Sequence, residues 1–218
     1  RYYCKMPLFY QQNINDTTRL AVWQLAEDES FFGGFTDIVH PQKRLQHLGG
    51  RYLLSFLFPG FDKAAIAVAA SKKPFLPDGS HQFSISHCTQ YAAALVSTSS
   101  RVGIDIEAIT ERVHKIQHKF LHPQEQAALK TKVSDTLNLT TQLTILWSCK
   151  EAIFKWWGDG NIDFSTQMIL KQMPLAQDGI LPARFIEKSG FPSPSISILA
   201  IVISFYNVYR QNPLQLLI

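Results

Sequence analysis

Three short stretches hold side chains whose types and spacing could do chemistry. Asp105 and Glu107 stand two apart in VGIDIE, residues 102–107. Glu151 and Lys155 stand four apart in WSCKEAIFK, residues 147–155, and His87 ends FSISH, residues 83–87. Three carboxylates and a lysine suit a hard divalent cation such as Mg²⁺, which takes oxygen ligands, together with a bound phosphate. No His/Cys grouping of the zinc type accompanies them. Neither G-x-x-x-x-G-K-[ST] nor G-x-S-x-G occurs, so the phosphate-cradling loop and the hydrolase elbow are both absent. Each stretch also has a plain structural reading. Glu151 and Lys155 could be a surface i,i+4 pair contributing ~0.2–0.5 kcal/mol. Asp105 and Glu107 could be outward acids on an edge strand, and His87 a hydrogen-bonded strand end.

These residues need elements to hold them. In residues 143–155, Leu143, Leu146, Trp147 and Phe154 recur at helical steps, and Ser148, Glu151 and Lys155 form a polar face. Gly158 is the expected stop. Residues 102–107 alternate strictly, which predicts a strand with Val102, Ile104 and Ile106 toward the core. Gly103, Asp105 and Glu107 would then line the other face, about 6.6–6.8 Å apart at successive Cα atoms. A hairpin from Tyr91 to Glu107 is expected at the junction of two halves. In 83–87, Phe83, Ile85 and His87 would face one way and Ser84 and Ser86 the other.

Pro41 opens a second helix on Leu45, Leu48, Tyr52 and Phe56. Arg44, His47 and Arg51 share another face of it, either a solvated basic face or an anion clamp. His122-Pro123-Gln124-Glu125 starts a third, where Glu125 near the third helical position could serve the free amides of the helix start. Strands are expected near Leu20–Trp23, at Ile66–Ala69, at Tyr91–Val96, and as an antiparallel meander over 168–173, 182–188 and 195–205. Residues 31–35 read as a turn with exposed aromatics, and 131–141 as a polar loop.

The chain has 218 residues, room for one large or two small packed units at roughly 100–200 residues per domain. Hydrophobic residues make up 46% and charged residues 17%, the balance of a globular protein. A net charge of +4, spread along the chain, suits an anionic small molecule or an acidic partner rather than nucleic acid. The three cysteines, Cys4, Cys88 and Cys149, are odd in number and far apart, which predicts reduced thiols in a cytoplasmic setting. The apolar run 196–205 is shorter than the ~20 residues of a membrane span, so no membrane segment is expected, and no leader is read at the start.

VGIDIE followed about forty residues later by WSCKEAIFK resembles the paired signature of the 4′-phosphopantetheinyl transferase family. Lys73-Pro74-Phe75-Leu76 with 83–87 resembles its G-K-P … F-S-I-S-H block, with Lys72 where the family has Gly. Arg44 and Gly50-Arg51 resemble its amino-terminal basic helix. The length resembles the two-lobed, broad-specificity type. The resemblance implies an α+β fold of two similar lobes, a pseudo-dimer with mainly antiparallel sheets and a long helix in each. The lobes would span 1–100 and 101–218 with the active site between them. The implied reaction is Mg²⁺-dependent transfer of phosphopantetheine from coenzyme A to a serine of an apo acyl or peptidyl carrier protein. Adenosine 3′,5′-bisphosphate would be released, as in a holo-acyl-carrier-protein synthase of fatty acid biosynthesis.

Asp105, Glu107 and Glu151 would hold Mg²⁺, with Glu151, Lys155 and Glu125 in catalytic roles. Ser86, His87 and Lys155 would hold phosphate oxygens, and Arg44, Arg51 and Lys73 the adenosine 3′-phosphate. The expected protein is a monomer. The reading from another class is a non-catalytic module that binds coenzyme A or a carrier protein on the same fold.

Overall fold

A computed structural model describes residues 7–131, 137–170, 179–186, 195–205 and 214–217. Cys4, residues 171–173, 187–188 and the 189–194 connection lie outside the described residues. The chain divides into two compact units, residues 1–104 and 105–218.

In the first unit, β1 (Leu8–Asn15), β2 (Thr18–Gln24), β5 (Gln82–Cys88) and β6 (Tyr91–Ser97) form an antiparallel sheet in the order β1-β2-β6-β5. Two helices, α1 (Glu29–Phe32) and α2 (Pro41–Leu57), and a small ribbon of β3 (Ala67–Val68) with β4 (Pro74–Phe75) complete it. α2 begins at Pro41 as its spacing predicts. Its buried stripe is Leu48, Leu53, Leu54 and Leu57, with Leu45, Tyr52 and Phe56 packed at the margins. Apolar side chains thus cover more of the helix than one narrow face, as a helix lying flat on a sheet requires.

α2 approaches the sheet closely because Gly49 and Gly50 carry no side chain. A Cβ at Gly50 would lie 2.6 Å from Ile85 Cγ2, and one at Gly49 would collide with Leu25. Three expectations for this unit change. Residues 31–35 are not simply a turn: α1 forms, and Phe32 is buried while Phe35 is exposed. The strand expected over Ile66–Ala69 is a two-residue bridge with Val68 exposed, not a buried strand. β6 pairs with β2 and β5, and not with the 102–107 segment, so the expected 91–107 hairpin does not form.

The second unit holds β7 (Asp105–Ala108), α3 (Arg112–Ile116), α4 (Pro123–Thr131), α5 (Leu139–Trp157), α6 (Phe164–Gln167), β8 (Met168–Leu170), β9 (Gly179–Ile186), β10 (Ser195–Phe205) and β11 (Leu214–Leu217). Its antiparallel sheet runs β7-β11-β10-β9-β8. The meander forms in the expected order over the described residues, with β9 starting at Gly179 and not at 182. β11, which the alternation left unread, inserts between β10 and β7. Strand pairing begins at Asp105 and not at Val102, although Ile104 and Ile106 are buried as expected.

α5 starts inside the stretch read as loop. Asn138 caps it, its side chain accepting from Thr141 N at 2.9 Å. Gly158 ends it in the left-handed region, φ +84°, with its N–H on Phe154 O, the geometry that favours glycine after a helix. Leu143, Ile145, Leu146, Cys149 and Ile153 face the core with Phe120 and Phe185. The fold is therefore α+β with antiparallel sheets, and each unit has one long helix. Among the described residues no helix is long and apolar enough to cross a membrane.

Candidate active site

β7 and α5 bring the second unit's acids together. Asp105 is 3% exposed. Its Oδ2 accepts from Ser148 Oγ at 2.7 Å and its Oδ1 from Lys155 Nζ at 2.6 Å. Ser148 and Lys155 lie seven residues, two turns, apart on α5, so both reach one carboxylate from the same helix face. Glu107 Oε1 accepts from Trp147 Nε1 at 3.2 Å. Trp147 is expected on the apolar face, and it does stack on Phe164 with ring centroids 5.7 Å apart. Its indole N–H still needs an acceptor, and Glu107 supplies it.

The electrostatics tie Glu151 to the same group. Burial pushes the Glu151 carboxyl up to about 7, helped by repulsion from Asp105 and then Glu107, and opposed by Lys155. Glu107 is also raised, first by burial and then by Asp105. Both carboxyls feel Asp105 and are opposed by Lys155, so these acids and the lysine share one region. Among the described residues no three His, Cys, Asp or Glu side chains stand as a closed metal cage. The donor set nevertheless fits a hard cation: all oxygen, with a proton affinity that a bound dication would lower.

Glu125 is elsewhere. It is 1% exposed, and Oε2 accepts from Lys150 Nζ at 2.6 Å and from His122 N at 2.8 Å. Oε1 accepts from Leu170 N at 2.9 Å. The bond to His122 N is the helix-start interaction foreseen for an acid at the third position. The Lys150 partnership has no local signal, since the two residues are brought together only by the packing of α5. Cys149 is fully buried, and burial, with Glu125 nearby, drives its thiol far above the ordinary range, so it is no nucleophile.

In the first unit, Arg51 Nη1 lies 3.1 Å from His47 Nε2. Burial, then Arg51 and His87, lower the His47 pKa, so its ring is held neutral. β5 places His87 near this pair, exposed, with Ser86 on the buried face. A cavity of about 500 Å³ opens beside them, lined by Phe35, His47, Arg51, Tyr52 and Lys63 among others. Lys63 has no motif to announce it. Arg44 does not join Arg51. Its Nε is paired with Glu29 Oε2 at 2.7 Å and Oε1 at 2.8 Å. Lys73 is half-buried just before β4, its carbonyl accepting from Ala69 N. Lys72 beside it has φ +69°, so the position where the family has Gly keeps a conformation that favours Gly.

Residues 101–193 match the family model of the 4′-phosphopantetheinyl transferase superfamily. The chain is similar to enterobactin synthase component D of Salmonella typhi, 28% identical over 121 residues, covering 54% of this chain and 50% of the relative. It is also similar to the 4′-phosphopantetheinyl transferase gsp of Aneurinibacillus migulanus, 35% identical over 88 residues, covering 40% of this chain and 35% of the relative. The chain therefore spans about half of one curated relative and about a third of the other. The matched segment contains β7 and α5, and with them every member of the acid–lysine group. The likeness to the 4′-phosphopantetheinyl transferase superfamily therefore rests on this segment.

Proposed function

We propose that the protein transfers the 4′-phosphopantetheine arm of coenzyme A to a serine of an apo acyl or peptidyl carrier protein, releasing adenosine 3′,5′-bisphosphate. The observation that carries this reading is the gathering of Asp105, Glu107, Glu151, Ser148 and Lys155 on β7 and one face of α5, inside the segment that matches the superfamily. The protein is read as acting in the cytoplasm as a monomer.

Asp105, Glu107 and Glu151 would hold Mg²⁺, which would neutralise pyrophosphate charge and orient the reacting phosphorus. The carrier serine oxygen bonds to the β-phosphorus. The bridging P–O bond breaks, and its electron pair leaves on adenosine 3′,5′-bisphosphate. Lys155, a cation 25% exposed beside the acids, is placed to offset the charge that develops on the leaving phosphate. The serine proton needs an acceptor. Glu151 itself, or a water held among these acids, would take it. Ser148 holds Asp105 Oδ2 and keeps that carboxylate oriented. In the first unit, Arg51, His87 and the 500 Å³ cavity suit the phosphate-bearing adenosine end, and Phe35 and Tyr52 offer it ring surfaces. Arg44 contributes by orienting α1 through Glu29, and Lys73 adds charge nearby.

The test is transfer of a fluorescently tagged arm from coenzyme A to apo carrier proteins by the wild type, Asp105→Asn and Glu151→Gln. The reading expects both variants to fold and to lose at least ~10²-fold in kcat, the scale of a lost charge-stabilising group. Wild-type rates in either variant would overturn it. Coenzyme A binding without Mg²⁺ dependence and without turnover would favour a binding module instead.

A further inference from the structure

α5 has two polar sides. Ser148, Glu151 and Lys155 lie on one, and Lys150 lies roughly opposite them at 100° per residue. Lys150 is fully buried, as is Glu125. The Lys150 ammonium donates to Phe120 O at 2.5 Å, Glu125 Oε2 at 2.6 Å and Phe164 O at 3.1 Å, which uses its three donors. Glu125 in turn accepts from His122 N and Leu170 N. One buried pair thus joins the middle of α5 to the start of α4, to the start of α6 and to the end of β8.

An apolar pair of similar volume would cost less desolvation, but it would strand the Phe120 and Phe164 carbonyls and the His122 and Leu170 amides. The charged pair meets all four, and it does so directionally. Three bonds from one side chain fix the rotation of α5 about its axis. A turn of about 10° moves a side-chain atom ~6 Å from the axis by about 1 Å, and a misplacement of that size can cost about 10²-fold in rate.

We propose that Lys150 and Glu125 are positioning residues. Their buried pair sets the rotation of α5, and through it the places of Glu151 and Lys155 against Asp105. Neither touches substrate, and both Glu125 oxygens are already engaged, so Glu125 does not take the serine proton. The rate arm of this proposal rests on the transferase reading.

The test compares the wild type with Glu125→Gln, Lys150→Met and the double variant. It measures kcat and KM for coenzyme A across pH, thermal unfolding, and hydrogen exchange at the amides of Ser148–Lys155. Each single variant should lose about 10–100-fold in kcat with KM within about two-fold and an unchanged acid limb, as expected of lost orientation. The same amides should exchange faster. The double variant, with no lone buried charge, should regain stability, but without the directional bonds it should stay about 10–100-fold slow in kcat with faster α5 exchange. If a single variant fails to fold, the double variant decides. A folded double variant with wild-type kcat and wild-type exchange in α5 overturns the proposal, as does loss of the acid limb in Glu125→Gln. If the wild type loads no carrier, the transferase reading fails. Unchanged α5 exchange in both single variants would then overturn positioning on its own.

Discussion

Lys155 Nζ lies 2.6 Å from Asp105 Oδ1, and the two come from a helix and a strand 50 residues apart. Asp105 is 5% exposed at its side chain and Lys155 25% exposed. The pair is therefore partly desolvated, and its worth lies in what happens when one partner goes. Lys155→Met should destabilise the fold by about 1–3 kcal/mol, because a nearly buried carboxylate loses its cation. The double variant Asp105→Asn/Lys155→Met should regain most of that stability and none of the transfer activity. Denaturant unfolding beside a transfer assay checks both.

Glu151 gives a pH prediction with a definite sign. Its carboxyl is raised from 4.5 to about 7 in the folded protein, chiefly by burial and then by Asp105. Between those values the folded state holds a proton that the unfolded chain has released, so stability falls as pH rises through this window. Without Mg²⁺, the wild type should therefore lose thermal stability relative to Glu151→Gln from about pH 4.5 to about 7, and run parallel to it above. Mg²⁺ with coenzyme A should restore the wild type near neutral pH and leave the variant unmoved. Parallel melting curves throughout would contradict the account of Glu151.

Gly50 lets α2 lie against β5 and so brings His47 and Arg51 near His87. Its missing Cβ would sit 2.6 Å from Ile85 Cγ2. Gly50→Ala should cost about 1–3 kcal/mol through overpacking, and Ile85→Ala in the same chain should relieve part of it. Coenzyme A affinity, measured by calorimetry, should weaken in Gly50→Ala and improve in the pair.

The long helices show where reading the sequence works and where it stops. α2 announces itself through Pro41 and a 3–4 spacing, and α5 through the same spacing closed by Gly158. The acids and lysine that gather at Asp105 were legible because a strand period of two and a helix period of 3.6 each put them on one face. What the sequence hides is long-range. β11 is four residues long, and its place between β7 and β10 is set by pairing partners far away in the chain. Lys150 stands inside the motif like a surface lysine, yet its burial depends on carbonyls at Phe120 and Phe164. Arg44 shares a helix face with Arg51, but Glu29 on α1 takes it.

Lys72 tests the backbone reading separately from the chemistry. It occupies φ +69°, where a side chain crowds the following carbonyl. Lys72→Gly should stabilise the protein by up to about 1 kcal/mol, the strain relieved less the added freedom of the unfolded chain. A loss of stability would mean that the Lys72 side chain contributes more than its backbone costs.

Intact mass decides whether the protein loads a carrier. The protein is mixed with coenzyme A, Mg²⁺ and a panel of apo acyl and peptidyl carrier proteins, with an EDTA control. The account predicts that at least one carrier gains the mass of a single phosphopantetheine arm, that adenosine 3′,5′-bisphosphate appears in equal amount, and that EDTA abolishes both. A panel that gains no mass while the protein still binds coenzyme A would contradict transfer. Loading that proceeds unchanged in EDTA would contradict the role given to Asp105, Glu107 and Glu151.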